Sequence, residues 1–297
     1  MADQDKITHL TCQANAARQL VLKAVYNAGA GHVGGPLSAT DLLVALYFDV
    51  LRIDPQRPDW EERDRFILSK GHASIALYAV MALRGFFPTE EVFTFDAINS
   101  RLQGHPDMKA LAGVDMSTGS LGQGLSPGIG MALGARMKGK GFRTWVMLGD
   151  GEIQEGQIWE GAFVAQRYGL DNVTAIVDNN KLQLWGWTEQ AGEGPRKSAV
   201  PISDPGRKFE AWGWAALEID GHDMAAILDA CHEAERIRGR QTVIIANTVK
   251  GKGVSFMEGQ FGWHARAPNA DELKLALTEL EAASPQRGRR NSPTVGR

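Results

Sequence analysis

The stretch Trp145-Val-Met-Leu-Gly-Asp-Gly151, answered by Val173-Thr-Ala-Ile-Val-Asp-Asn-Asn180, sets the architecture of this chain. Each half is a short β-rich run that ends in an oxygen ligand, Asp150 in the first and Asn180 in the second. The residues between them have room for one helix. Parallel strands need such a crossover, and its right-handed form returns the chain to the same sheet. Both ligands then emerge at the carboxyl edge, where open α/β sheets bind their ligands. One carboxylate and one carboxamide suit a hard cation such as Mg²⁺, which takes few protein ligands and keeps positions for water and phosphate oxygens. The glycines on either side of Asp150 let backbone approach a diphosphate closely. Gly-Asp-Gly alone is also an ordinary turn sequence. The second run, placing Asn180 thirty positions after Asp150, makes the pair a predicted Mg²⁺–diphosphate site.

Outward from this unit, the pattern alternates strands and helices. Residues 7–28 carry Leu10, Ala14, Ala17, Val21, Ala24 and Val25 near helical spacing, and Gly29-Ala30-Gly31 ends them. Ser38 to Asp41 resembles a capping box that opens an apolar helix from Leu42 to Leu51. Arg65-Phe-Ile-Leu68 reads as a strand, and Gly71 onward as a helix through Ile75, Leu77, Val80 and Leu83. Leu125 to Met137 reads as a small-residue helix. Ala215–Ile219 and Thr242–Ala246 read as two further strands with a helix from about Met224 to Arg238 between them. The expected fold class is α/β, a mostly parallel sheet with helices on both faces. Residues 1–283 are expected to form one domain, and residues 284–297, rich in Ser, Pro, Gly and Arg, a frayed tail.

A chain of 297 residues can bury a substantial core, and 43% apolar with 23% charged residues is ordinary for a globular protein. A net charge of −3 argues against an electrostatic nucleic-acid footprint. No run reaches the length of a membrane-spanning helix, and the polar, acidic start Met1-Ala-Asp-Gln-Asp-Lys6 is unlike a signal peptide. Cys12 and Cys231 lie far apart in helical patterns, so neither a disulfide framework nor a zinc site is indicated. The expected location is the cytoplasm.

Glycine neighbours several histidines: His32 in Gly31-His-Val-Gly-Gly35, His72 in Lys70-Gly-His-Ala73, His105 in Gly104-His-Pro106, and His264 after Gly262-Trp263. Imidazole can donate, accept or shuttle protons near neutral pH, and glycine beside it clears space for a ligand. Each taken alone is also an ordinary loop histidine. His222 in Gly221-His-Asp223 reads as local, with Asp223 capping the next helix, while His9 and His232 read as surface residues of helices. The loop Thr118-Gly-Ser-Leu-Gly-Gln-Gly124 precedes a helix whose N-terminus suits phosphate. Lys250-Gly-Lys-Gly253 lacks the ending of a nucleotide-binding P-loop. Its lysines can meet phosphate, with a solvated loop as the default. Glu155 and Glu160 follow the Gly-Asp-Gly turn, where acidic residues favour a helix dipole.

Together these motifs resemble the N-terminal, thiamine-diphosphate-binding half of the transketolase family. The order holds from His32 to His264, through Asp64-Arg-Phe-Ile-Leu-Ser-Lys-Gly-His-Ala73, Gly104-His-Pro106, the loop 118–124, Gly149-Asp-Gly-Glu-Ile-Gln-Glu-Gly156 and Val249-Lys-Gly-Lys-Gly253. The resemblance implies the thiamine-diphosphate-binding fold. It implies that Asp150 and Asn180 ligate Mg²⁺, with the main-chain carbonyl of Leu182 as a third ligand. His72, Gly151 and His264 would meet the diphosphate, and Gly119, Ser120 and Leu121, with Glu152, Asn180 and Leu184, would line the cofactor. His32, His105 and His264 would contact sugar hydroxyls and assist proton transfer, and Glu155 and Glu160 would join a carboxylate network across a subunit interface. The implied reaction is transfer of a two-carbon ketol unit from a ketose phosphate to an aldose, as in pentose phosphate metabolism, with the cofactor as electron sink.

Two departures from the family accompany the match. The glutamate that activates the aminopyrimidine belongs to the family's pyrimidine-binding domain, and no residue here matches it. The expectation is one subunit of a two-chain enzyme, inactive alone, whose C-terminal partner subunit supplies that glutamate in an α2β2 assembly. Second, Leu184-Trp-Gly-Trp187 stands where the family usually has Leu-Asp-Gly. An unusual acceptor or interface explains this, or else a packing change does. A related transferase for an unusual sugar phosphate and a non-catalytic cofactor-binding half are the competing readings.

Overall fold

Strands β1 (Arg65–Leu68), β2 (Thr144–Gly149), β3 (Val173–Asn179), β4 (Ala215–Asp220) and β5 (Thr242–Asn247) form a sheet in the order β1-β2-β3-β5-β4, with every pairing parallel. They belong to a computed structural model that describes residues 3–183 and 204–284. Side chains alternate across a strand. Phe66, Leu68, Trp145, Met147, Ile176 and Ile244 accordingly enter one buried cluster. Ile67, Val146, Leu148, Ala175, Val177, Val243 and Ile245 enter another. Burial on both faces is why these strands read as continuous apolar runs rather than alternating ones.

The helices are α1 (Gln4–Ala28), α2 (Gly34–Ala45), α3 (Ser74–Arg84), α4 (Leu125–Met137), α5 (Gly156–Tyr168), α6 (Pro205–Ala211), α7 (Met224–Arg236) and α8 (Ala270–Ala283). Buried residues of α1, α2, α3, α7 and α8 share the first cluster, and those of α4, α5 and α6 the second. Helices thus cover both faces, as expected. No helix among the described residues is long and apolar enough to cross a membrane.

The expected capping box at Ser38 is not a helix start. Helix α2 begins at Gly34, and all twelve of its residues are buried. The Ser38 hydroxyl lies within it, 2.7 Å from Asp178 Oδ2. A helix buried all round carries no amphipathic stripe to mark its first turn. Its last residues pass into a π-helical turn, Leu46–Val50. A capping box does open α8, where Asn269 and Glu272 exchange side-chain-to-backbone bonds of 2.8 and 2.9 Å. Asp223 caps α7 as expected, accepting from Ala225 and Ala226.

The topology puts five loops side by side. Ser69–His72 follows β1, Asp150–Glu152 follows β2, Asn180 follows β3, Gly221–His222 follows β4, and Thr248–Lys250 follows β5. Gly149 pairs with Asp178, and Asp178 with Ala246, so β3 runs past its apolar core and carries Asp178 into the sheet.

Candidate functional site

Asp150 leaves the sheet at the end of β2 with only 6% of its surface exposed. Its Oδ2 is buried without a hydrogen-bond partner. Burial, then the negative charge of Asp178, pushes its carboxyl up to about 6. The Asn180 side chain accepts the amide of Leu182 at 3.1 Å, in a turn with Lys181 at φ 63°. The carbonyl of Leu182 accepts the Lys250 ammonium at 3.1 Å. These three oxygens are the expected metal set. Among the described residues no group of three His, Cys, Asp or Glu could hold a metal. A hard cation held by one carboxylate, one carboxamide and one carbonyl needs no such group. The residues present fit Mg²⁺ on one observation: the buried Asp150 Oδ2 has no hydrogen-bond donor, so it is an acceptor free to meet a cation.

Asp178 lies behind this position, fully buried, and receives the Lys70 ammonium, the Thr248 hydroxyl and the Ser38 hydroxyl. Burial alone would raise its carboxyl, but Lys70 holds it below the ordinary carboxylate range. Lys70 is itself 3% exposed at its side chain. Lys250 is buried as well, and its ammonium stands 2.7 Å from His264 Nδ1. Burial, then the charge of Lys70, lowers Lys250 to about 8.

Three histidines from three distant segments meet here. Ring centroids lie 5.1 Å apart for His32 and His72, 5.2 Å for His32 and His264, and 5.4 Å for His72 and His264. Burial is the main cause, with nearby positive charge, of their lowered basicity: His32 to about 4, His72 to about 2 and His264 to about 3. At neutral pH they are uncharged imidazoles, able to donate or accept a proton without adding charge to the pocket. His105 is exposed and packs on the glycine loop, where a Cβ on Gly119 would stand 3.0 Å from its ring.

Glu152 fixes that glycine loop to the turn after β2. Its carboxylate accepts the Gly122 amide at 3.0 Å, the Gly149 amide at 3.0 Å, and the Ser69 hydroxyl. Ser69 in turn accepts the Gly124 amide at 3.1 Å. Thr118 bonds the Leu68 carbonyl at 2.7 Å, so the loop lies across the end of β1. The approach requires glycine: a Cβ on Gly71 would meet the Gly119 amide nitrogen at 2.7 Å. Gly122 has φ +81°, and a Cβ there would sit 2.7 Å from Glu155 Cβ.

A family model for "Transketolase, thiamine diphosphate binding domain" matches residues 10–286. The chain belongs to the transketolase family. It is 44% identical to the 6-deoxy-6-sulfo-D-fructose transketolase subunit SqwG of Clostridium sp. (strain MSTE9), over 91% of this chain and 95% of that protein. It is 38% identical to an apulose-4-phosphate transketolase subunit from Phocaeicola vulgatus, over 93% of this chain and 95% of that one. The transketolase structure from Campylobacter jejuni superposes with a TM-score of 0.82 at 31% identity, covering 95% of this chain and 43% of that chain.

In this transketolase chain the structure brings Asp150, Asn180, Leu182, His32, His72, His264 and Lys250 to one sheet edge, with Gly119 and His105 beside them. Leu184, Trp185 and Trp187 lie outside the described residues, as does nearly all of the expected tail. Glu155 and Glu160 are exposed at the start and outer face of α5. The sequence reading did not single out the Lys70–Asp178 pair. Its signal was a lysine between two apolar segments and an aspartate inside a strand run, both costly places for unpaired charge. A solvated loop at Lys250 is overturned by its burial. So is a purely local His222, whose ring bonds Asp41 at 2.7 Å.

Proposed function

We propose that this chain is the cofactor-binding subunit of a two-chain, thiamine-diphosphate-dependent transketolase of the cytoplasm. The observation that carries this reading is coverage: the chain spans 95% of two relatives that are each named as a subunit. The transferred group is a two-carbon ketol unit, moved from a ketose phosphate to an aldose. One of those relatives is named for a sulfosugar and the other for a sugar phosphate. A sugar with an anionic terminus other than the common pentose phosphates therefore stays within the reading.

Asp150, Asn180 and the Leu182 carbonyl would hold Mg²⁺. His72, Gly151 and the Gly119–Gly122 loop, with Lys250, would bind the diphosphate. Thiamine diphosphate, when bound, supplies the electron sink that two-carbon transfer needs. His32, His105 and His264 would move protons on and off sugar hydroxyls. The uncharged imidazoles of His32 and His264 fit that task, since each turnover both removes and returns a proton. The partner subunit would supply the activating glutamate. Glu155 and Glu160, beside the exposed Phe163 and Val164 on α5, would lie in an α2β2 interface.

The test is reconstitution. The partner is recovered by native pull-down, and two-carbon transfer from xylulose 5-phosphate and from a sulfonated ketose is measured for each chain and for the mixture. Turnover only in the mixture, dependent on Mg²⁺ and thiamine diphosphate, is the expected result. Steady turnover by this chain alone at an ordinary enzymatic rate would remove the two-chain reading.

A further inference from the structure

His222 stands outside the cofactor pocket, yet it is built into a chain of contacts that ends there. Arg18 on α1 forks onto Asp41 on α2, with Nη1 3.0 Å from Oδ1 and Nη2 on Oδ2. Arg18 also bonds the Leu37 carbonyl through Nε and Nη2 at 3.3 and 3.2 Å. Asp41 Oδ2 lies 2.7 Å from His222 Nδ1. The far nitrogen of the same ring, Nε2, accepts the amide of Val249 at 2.8 Å. An amide can only donate, so Nε2 is the bare nitrogen and the ring proton sits on Nδ1, facing Asp41. The next residue along is Lys250, whose ammonium reaches the Leu182 carbonyl and His264 Nδ1.

The base of this chain is rigid. Arg18 and Asp41 are 7% and 6% exposed. The backbone of His222 is itself fixed, its amide bonding Asp220 Oδ1 at 2.8 Å. Gly221 pairs with Asn247 at 2.8 Å and packs so closely on β5 that a Cβ there would meet Thr248 Cγ2 at 2.5 Å. The loop after β5 has further backbone ties near Lys250: Thr248 to the Asn179 carbonyl at 3.3 Å, Gly251 to the Gly34 carbonyl at 2.9 Å, Lys252 to the Val249 carbonyl at 3.1 Å and Gly259 to the Lys250 carbonyl at 2.9 Å. Of these groups it is the amide of Val249 that the imidazole holds.

We propose that His222 is a positioning residue for the cofactor pocket: oriented by Asp41 and Arg18, it pins Val249 and so sets where the Lys250 ammonium stands. The inference rests on the thiamine-diphosphate reading for its purpose, though not for its geometry. It gives the ring a role like that of an outer-shell partner at a metal site, whose loss usually weakens the metal about 10–100-fold without touching a ligand.

Two substitutions separate this role from general support of the fold. His222→Gln places an amide oxygen near the position of Nε2 and can still accept from Val249, but it gives up the Asp41 contact. His222→Asn is too short to reach Val249 and keeps a donor near the position of Nδ1 for Asp41. Two readouts are applied to the full chain. The first is the rate at which an amine-reactive reagent labels Lys250, followed by peptide mass spectrometry without cofactor. The second is the affinity for thiamine diphosphate with Mg²⁺ by titration calorimetry, with thermal melts alongside. In the Asn variant, labelling of Lys250 should quicken and cofactor affinity should fall about 10–100-fold. In the Gln variant, which keeps an acceptor for Val249 but loses the Asp41 tether, both should change less than in the Asn variant. Equal behaviour of the two variants, whether both changed or both unchanged, would overturn the positioning role. If the labelling contrast appears but the wild-type chain, alone and reconstituted with its partner, binds no Mg²⁺–thiamine diphosphate, the geometry stands and the assigned purpose falls.

Discussion

Removing the carboxylate of Asp178 should cost this protein more stability than removing that of Asp150, although Asp150 is the expected metal ligand. Asp178 is fully buried and carries the ammonium of Lys70, which is 3% exposed. In Asp178→Ala the nearest remaining acceptor for that ammonium is the Gly35 carbonyl, at a long 3.4 Å. The Ser38 and Thr248 hydroxyls lose an acceptor as well. Breaking a buried pair by removing one partner costs about 3–5 kcal/mol, because it leaves an uncompensated charge in the interior. At ~2 °C per kcal/mol for a chain of this size, the melting temperature should drop by roughly 6–10 °C. Asp150 offers the opposite case. Its Oδ2 has no partner, and its charge opposes that of Asp178. Asp150→Ala should therefore melt within about 2 °C of wild type in metal-free buffer, while losing Mg²⁺-dependent binding of thiamine diphosphate. The assay is a pair of thermal melts by circular dichroism in chelator, followed by titration calorimetry. The double variant Lys70→Met with Asp178→Leu should regain most of the loss, since replacing both members of a buried pair by apolar groups is often neutral. An Asp178→Ala protein that melts with wild type, or an Asp150→Ala protein that falls as far, would refute the assignment of the two carboxylates.

In the reconstituted enzyme, His32→Ala or His105→Ala should lower kcat/KM for the sugar by about 10²–10⁴-fold. For the exposed His105, calorimetry should show near wild-type cofactor affinity, and a parallel loss of binding would make it a structural residue. Gly71→Ala should destabilise the chain by about 1–3 kcal/mol and weaken the cofactor, because the added methyl meets the backbone of Gly119 and no side chain can turn away. An unchanged melt would show that the glycine loop yields freely. Burial alone would raise Asp41, but Arg18 and then His222 outweigh it and hold the carboxyl at about 2, below its unfolded value of 3.8. A carboxylate depressed in this way contributes stability above the unfolded value and loses it as pH falls towards 2, here on the order of 2 kcal/mol. Melts between pH 5 and 2.5 should decline less steeply for Asp41→Asn than for wild type, and equal slopes would discard the linkage.

The central strand-helix-strand unit, and the arrival of Asp150 and Asn180 at one sheet edge, were legible in the order of residues alone. The two runs and the Asp and Asn that end them lie within one crossover, where strand polarity is enough to bring Asp150 and Asn180 to the same edge. The glycine loop was legible for the same reason, since its residues sit next to each other in the chain. What these residues face depends instead on the folded arrangement. Lys70 and Asp178 are 108 positions apart, and Asp41 and His222 are 181 apart. The three clustered imidazoles come from the loops before α2, after β1 and before α8. Local periodicity carries no information about such meetings, because a buried charge finds its partner through the order of strands in the sheet. The same physics misled the reading of Ser38: a serine three positions before an aspartate marks a helix start only where the first turn is solvated, and α2 is buried from its first residue. There the hydroxyl points at Asp178, and the pattern belongs to the interior of a helix rather than to its cap.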